Sequence, residues 1–192
     1  MDKSLEIVKE NLISLGFFKY ASAGNFSKTI DKTFENYKND GVIKFDYEDL
    51  NRLAYIDAED IFEQNGLKSF AEGLVNFFKA LGVGLELGEC IEEFDGDKYT
   101  KRSVVINDKI YDTSIPDVHD WATGFNSGFR LIDTLLLEYN IPDRLFGLFM
   151  DESSTLIILD EVLFGYLTEL VPEDEAYRPI DIKAMMIEHF GV

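Results

Sequence analysis

Arg144 to Asp160, RLFGLFMDESSTLIILD, carries two short apolar runs, Leu145 to Met150 and Thr155 to Leu159, on either side of a polar turn at Asp151, Glu152, Ser153 and Ser154. Short apolar runs joined by a tight polar turn predict an antiparallel β-hairpin. Because the runs are apolar on consecutive residues and do not alternate, both faces of these strands are expected to be covered, with helices on at least one side. The hairpin is therefore read as the centre of the fold.

Upstream, Pro142 breaks the chain after a long helix predicted from Pro116 and Asp117 to about Tyr139, whose apolar stripe includes Val118, Phe125, Phe129, Ile132 and Leu136. Gly124 and Gly128 on that helix allow another backbone to come close. Before it, from Val83 to Ile115, the period changes to two. Asp95 with Gly96, and Asn107 with Asp108, mark tight turns, which predicts a three-strand meander. Leu67 to Leu81 reads as a helix stopped by Gly82, and Asp57 as the cap of a short helix through Ile61 and Phe62. Residues 42–66 otherwise mix strand and helix signals. At the start, Ser4 to Leu15 and Ser27 to Lys38 form an amphipathic helical pair, the first ended by Gly16. Downstream of the hairpin, Asp160 caps a short helix, and Ile180 to Phe190 forms the last one.

Strands and helices without regular alternation predict an α+β fold, with a mostly antiparallel sheet of about five strands, meander plus hairpin, packed against helices. Residues 1–40 are expected to be an N-terminal helical hairpin docked on a single α+β domain of residues 41–192. With 46% hydrophobic residues, including 16 Phe and 9 Tyr, the chain can fill a core without disulfides or metal. Its single cysteine, Cys90, forbids an internal disulfide, and the charged start MDKSLEIVKENLISLGFFKY lacks a cleavage site. No apolar run approaches the roughly 18 residues of a membrane span. A cytoplasmic protein is expected.

Charge is the unusual quantity. A formal net charge of −19 with no basic cluster argues against direct nucleic-acid binding, since a phosphate backbone repels it. Residues 1–39 hold six Lys against five acids, whereas the rest of the chain holds 12 basic and 32 acidic residues. Excess acid on one part of a surface speeds capture of a basic partner and rejects acidic ones.

Catalytic signatures are wanting. Cys90 lies in GECIEEF, where neighbouring carboxylates raise a thiol pKa, and reads as structural. His119 beside Asp120 has the chemistry of a general base held by a carboxylate, but its place in a first helical turn suits an exposed residue better. His119 and His189 lack metal-ligand spacing. Asp95 and Asp97 begin like a calcium loop that nothing completes, and the cluster Asp57, Glu59, Asp60, like Glu173, Asp174, Glu175, reads as a solvated acidic turn. Gly82, Gly84 and Gly88 precede a strand where a phosphate loop precedes a helix, and GFNSG at Gly124 to Gly128 sits inside a helix, outside the strand-turn-helix setting of a nucleophile elbow. No cofactor and no metal are called for.

In size, acidity and want of catalytic residues the chain is similar in type to immunity and inhibitor proteins, which neutralise a basic partner such as a toxin. The expected partner surface is Glu86, Glu92, Glu93, Asp95, Asp97, Asp151 and Glu152, chosen because turns and outward strand positions are exposed. Two alternatives stand beside it. One is a carboxylate- or divalent-metal-dependent enzyme with a cleft between meander and long helix. The other is a module that self-associates through Phe17, Phe18 and Tyr20.

Overall fold

A computed structural model of the chain describes all residues except 1–4, 41–49, 64, 96–97, 115–120, 151–152, 173–177 and 191–192. The fold is α+β. The hairpin forms as β5 (Arg144–Met150) and β6 (Ser153–Leu159), paired antiparallel with Leu145 opposite Ile158 and Gly147 opposite Leu156. A third strand, β1 (Leu53–Ile56), joins the other side of β6, so β6 is the central strand of the order β1-β6-β5. The meander is a second three-stranded sheet, β2 (Leu87–Asp95), β3 (Lys98–Ile106) and β4 (Lys109–Asp112), in that order. The single sheet of about five strands expected from the sequence is thus two sheets of three among the described residues. The sixth strand is β1, four residues long, whose partner is a hundred positions away in the chain, and hairpin and meander do not pair with each other.

Both faces of the hairpin sheet carry buried apolar side chains. Alternation sends Leu53, Leu148, Ile157 and Leu159 to one face, and Ala54, Ile56, Leu145, Leu156 and Ile158 to the other. The first face is covered by α1 (Leu5–Ser14), the aromatic turn Phe17 and Phe18, α2 (Phe26–Asp40) and, near Phe146, α6 (Glu161–Leu170). Helix α1 ends where Gly16 takes a φ of +73°, a left-handed conformation that lets Phe17 and Phe18 turn inward. Helix α6 starts at Asp160, whose carboxylate accepts from the Leu163 N–H at 2.8 Å.

The second face packs against α3 (Ala58–Phe62), α4 (Gly66–Ala80), α5 (Trp121–Glu138) and α7 (Ile182–Phe190), and α4 and α5 also contact the meander. A Cβ at Gly128 of α5 would meet Ile56, Ile61 and Phe70, all at 3.1 Å, so the glycine sets how closely α5 approaches β1 and α3. The meander's second hairpin closes on Asn107 and Asp108, both at positive φ, as a two-residue turn matching strand twist requires.

Candidate binding surface

The expected acidic residues divide three ways. Glu86, Glu93 and Asp95 are exposed, and Glu93 sits 3.6 Å from Lys101 across the strand pair. Asp97, Asp151 and Glu152 lie outside the described residues, as do His119, Asp120, Glu173, Asp174 and Glu175. Glu92 departs from its expected outward position. Its side chain is 9% exposed and bonds Arg102 at 3.1 Å, while Arg102 also donates to the Ile61 carbonyl. The cause is a bulge. Three steps along β2, from Leu87 to Cys90, oppose two along β3, from Ile106 to Val104, so one extra residue flips the alternation and turns Cys90 and Glu92 inward. Cys90's thiol is pushed up by burial first and by Glu92 second, which blunts it as a nucleophile.

Among the described residues, clefts open on the surface. One, of about 420 Å³, lies between β4 and α5, the place an enzyme site was anticipated. Its charged lining is Lys109, Asp112 and Arg130, a mixture of signs with one carboxylate. Hydrogen bonds from the Ser114 side chain and backbone hold Asp112 below the usual carboxylate range, so it stays ionised at neutral pH and is not poised to exchange protons there. Among the described residues, this cleft does not hold the pair of inward carboxylates that acid–base chemistry asks for.

The second cleft, of about 340 Å³, is bounded by β1, α3 and α4. Ala54, Ile61 and Leu74 form a buried apolar floor, and Phe70 and Phe77 are only half-buried beside it. At its rim stand Asp57 and Asp60, with Glu59 and Glu63 in the same acidic turn, all four exposed. Asp57 is the helix cap predicted from the sequence. Its Oδ1 accepts from the Glu59 N–H at 3.0 Å and the Asp60 N–H at 3.1 Å, which fixes the turn that carries the rim. The described lining includes no cation.

Behind this surface lies a group that sequence reasoning did not single out. Arg52, directly before β1, has a side chain 0% exposed. Its guanidinium donates to the carbonyls of Phe17 at 2.6 Å, Gly16 at 2.8 Å and Ile158 at 2.6 Å, and reaches Asp143 at 3.3 Å. Asp143, equally buried, also accepts from Lys19 at 2.6 Å and from the Tyr20 hydroxyl at 2.5 Å. Burial alone would raise the Asp143 pKa. The Lys19 and Tyr20 hydrogen bonds and the Arg52 charge outweigh it and hold the carboxyl below its ordinary range. Burial works against the Arg52 charge, with Asp143 opposing that effect, and burial followed by the Asp143 hydrogen bond pushes the Tyr20 phenol up.

A depressed carboxyl pKa stabilises the fold above its unfolded value and ceases to do so as pH falls through its folded value. Wild-type protein is therefore expected to exceed Asp143→Asn in stability at pH 7, with the gap narrowing below about pH 4. Urea unfolding midpoints across that range measure it, and a gap independent of pH would contradict the assignment. The same network places the three aromatic residues named for self-association. Phe17 is 0% and Phe18 2% exposed, and Tyr20 is tied to Asp143, so these three side chains face inward and not toward a second copy.

Comparison of the chain with protein-family models, curated proteins and solved structures finds no match.

Proposed function

We propose that this chain is a cytoplasmic binding protein that captures a basic protein partner and neutralises it, in the manner of immunity and inhibitor proteins. The observation that carries this reading is where the charges go. The two buried arginines, Arg52 and Arg102, are each matched inside by a carboxylate, Asp143 and Glu92. Each interior pair is neutral, so the formal excess of 19 negative charges remains with the rest of the chain. Exposed acids at Glu86, Glu93 and Asp95, and at Asp57, Glu59, Asp60 and Glu63, supply part of that field. Such a surface steers cationic proteins inward and repels anionic ones, nucleic acids included. Among the described residues no helix is long and apolar enough to cross a membrane.

The test is affinity capture from an extract of the source cell, with bound proteins identified by mass spectrometry and eluted by rising salt. A basic protein is expected as the dominant ligand, its affinity falling roughly tenfold or more between about 50 and 300 mM salt. A neutral or acidic ligand, or retention indifferent to salt, would overturn the reading.

A further inference from the structure

We infer that the cleft between β1 and the α3–α4 pair is the anchoring point for that partner, taking up an apolar side chain that lies next to a lysine or arginine in an exposed segment of a basic protein. The inference rests on the functional reading above and adds a place and a chemistry to it. Phe70 and Phe77 are half-buried over the cleft, and Tyr55 at its edge is 55% exposed, so the fold leaves aromatic surface partly uncovered beside a ready-made apolar floor. Its volume of about 340 Å³ falls at the lower end of pockets that receive ligands. An anchor side chain, aromatic or aliphatic, suits it.

Charge complementarity selects the anchor's neighbour. Asp57 and Asp60 are the charged members of the described lining, and residues 57–63 carry four acids and no base. Lys68, the next cation in the chain, pairs with Glu72 at 3.9 Å. An apolar side chain entering the cleft thus brings its flanking residues against carboxylates, and a cationic flank is favoured over an acidic one. Buried apolar anchors with charges at the rim are the usual division of labour at protein interfaces. The cleft between β4 and α5, with charges of both signs, offers no such preference.

Glycine shapes the opening. Gly73 lines the cleft, and a Cβ there meets nothing within 4 Å, so a large side chain at this position projects into open space. The probe is the tripeptide acetyl-Lys-Trp-Lys-amide, titrated against the isotope-labelled full chain and followed by amide NMR shifts. Saturable shifts are expected at Ala54, Ile61, Ser69 and Gly73, with a dissociation constant on the order of 1 mM, as suits so small a ligand. Binding should be lost in Gly73→Phe and weakened about threefold in Asp57→Asn/Asp60→Asn, where asparagine keeps the helix cap. Acetyl-Glu-Trp-Glu-amide should not bind. If Gly73→Phe does not fold, Gly73→Leu carries the same test.

Shifts unchanged by the glycine substitution, or equal uptake of the acidic tripeptide, would overturn the inference. Its failure is separable from failure of the functional reading. If Gly73→Phe leaves the captured partner's affinity and salt dependence unchanged, the cleft is refuted and the acidic surface stands; salt-indifferent partner binding beside intact tripeptide uptake refutes the reverse.

Discussion

Replacing Arg52 with methionine will destabilise the fold by about 3–5 kcal/mol, among the largest single-residue effects in this chain. The guanidinium satisfies three backbone carbonyls and one carboxylate in a place where its side chain is 0% exposed. Methionine fills similar volume but takes this donor from the carbonyls of Phe17 and Ile158, while Gly16 keeps the Lys19 N–H at 3.0 Å, and it removes a positive charge from beside Asp143. Unsatisfied buried polar groups are expensive because neither water nor protein answers them. Lysine will not rescue the loss, since a single ammonium cannot span acceptors that a planar fork reaches in several directions. Arg52→Met combined with Asp143→Leu should not recover the loss, because Asp143 keeps Lys19 at 2.6 Å and the Tyr20 hydroxyl at 2.5 Å once Arg52 is gone, and the leucine deprives both of their partner. Equilibrium urea unfolding at pH 7 measures all three variants. A loss below about 1 kcal/mol for Arg52→Met would show that the network does not join the N-terminal helices to the hairpin sheet as described.

Gly66→Ala will be the other severe substitution, costing about 3 kcal/mol or more. A Cβ at Gly66 would overlap the backbone carbonyl oxygen of Asp60 and press on the Ile61 carbonyl carbon, neither of which is a flexible side chain that can swing aside. The preceding Asn65 already takes a left-handed φ of 67°, so the corner between α3 and α4 has little freedom left to relax. This corner sets the acidic rim of the cleft against the face of α4, and Arg102 holds it from the meander side through the Ile61 carbonyl. The variant should therefore lose affinity for the basic tripeptide along with stability. Gly73→Ala is the contrast of opposite sign. Within the same helix it meets open space and should stabilise by up to about 1 kcal/mol through helix propensity alone. Thermal unfolding of the pair separates the two cases, and equal effects would refute the steric argument.

Much of the architecture is readable from local chemistry. The caps at Asp57 and Asp160, the stop at Gly16 and the turn at Asn107 and Asp108 each rest on a hydrogen bond or dihedral that one residue type supplies. The double burial of the hairpin follows from its unbroken apolar runs. What escaped were features made by distant segments meeting. LAYI at β1 is too short to show a period, and its place as a strand depends on β6, far along the chain. The bulge in β2 that turns Glu92 inward appears only when β2 is paired with β3. Arg52 is a lone cation beside an apolar run, and nothing local distinguishes it from a surface arginine; its role needs Gly16, Phe17, Asp143 and Ile158 around it. The cleft is similar. Asp57, Glu59 and Asp60 were visible as an acidic turn, but its apolar floor comes from β1 and α4, and their convergence has no trace in the sequence pattern.

The association rate constant of the captured basic partner tests the central claim most directly, measured by stopped flow for wild type, for Asp57→Asn/Asp60→Asn and for Glu93→Gln/Asp95→Asn. Acidic steering anchored at the cleft predicts a wild-type rate that falls steeply with ionic strength, with a larger drop for the Asp57/Asp60 pair than for the equally charged pair on β2. A rate that ignores salt and is unchanged in both variants would contradict the account.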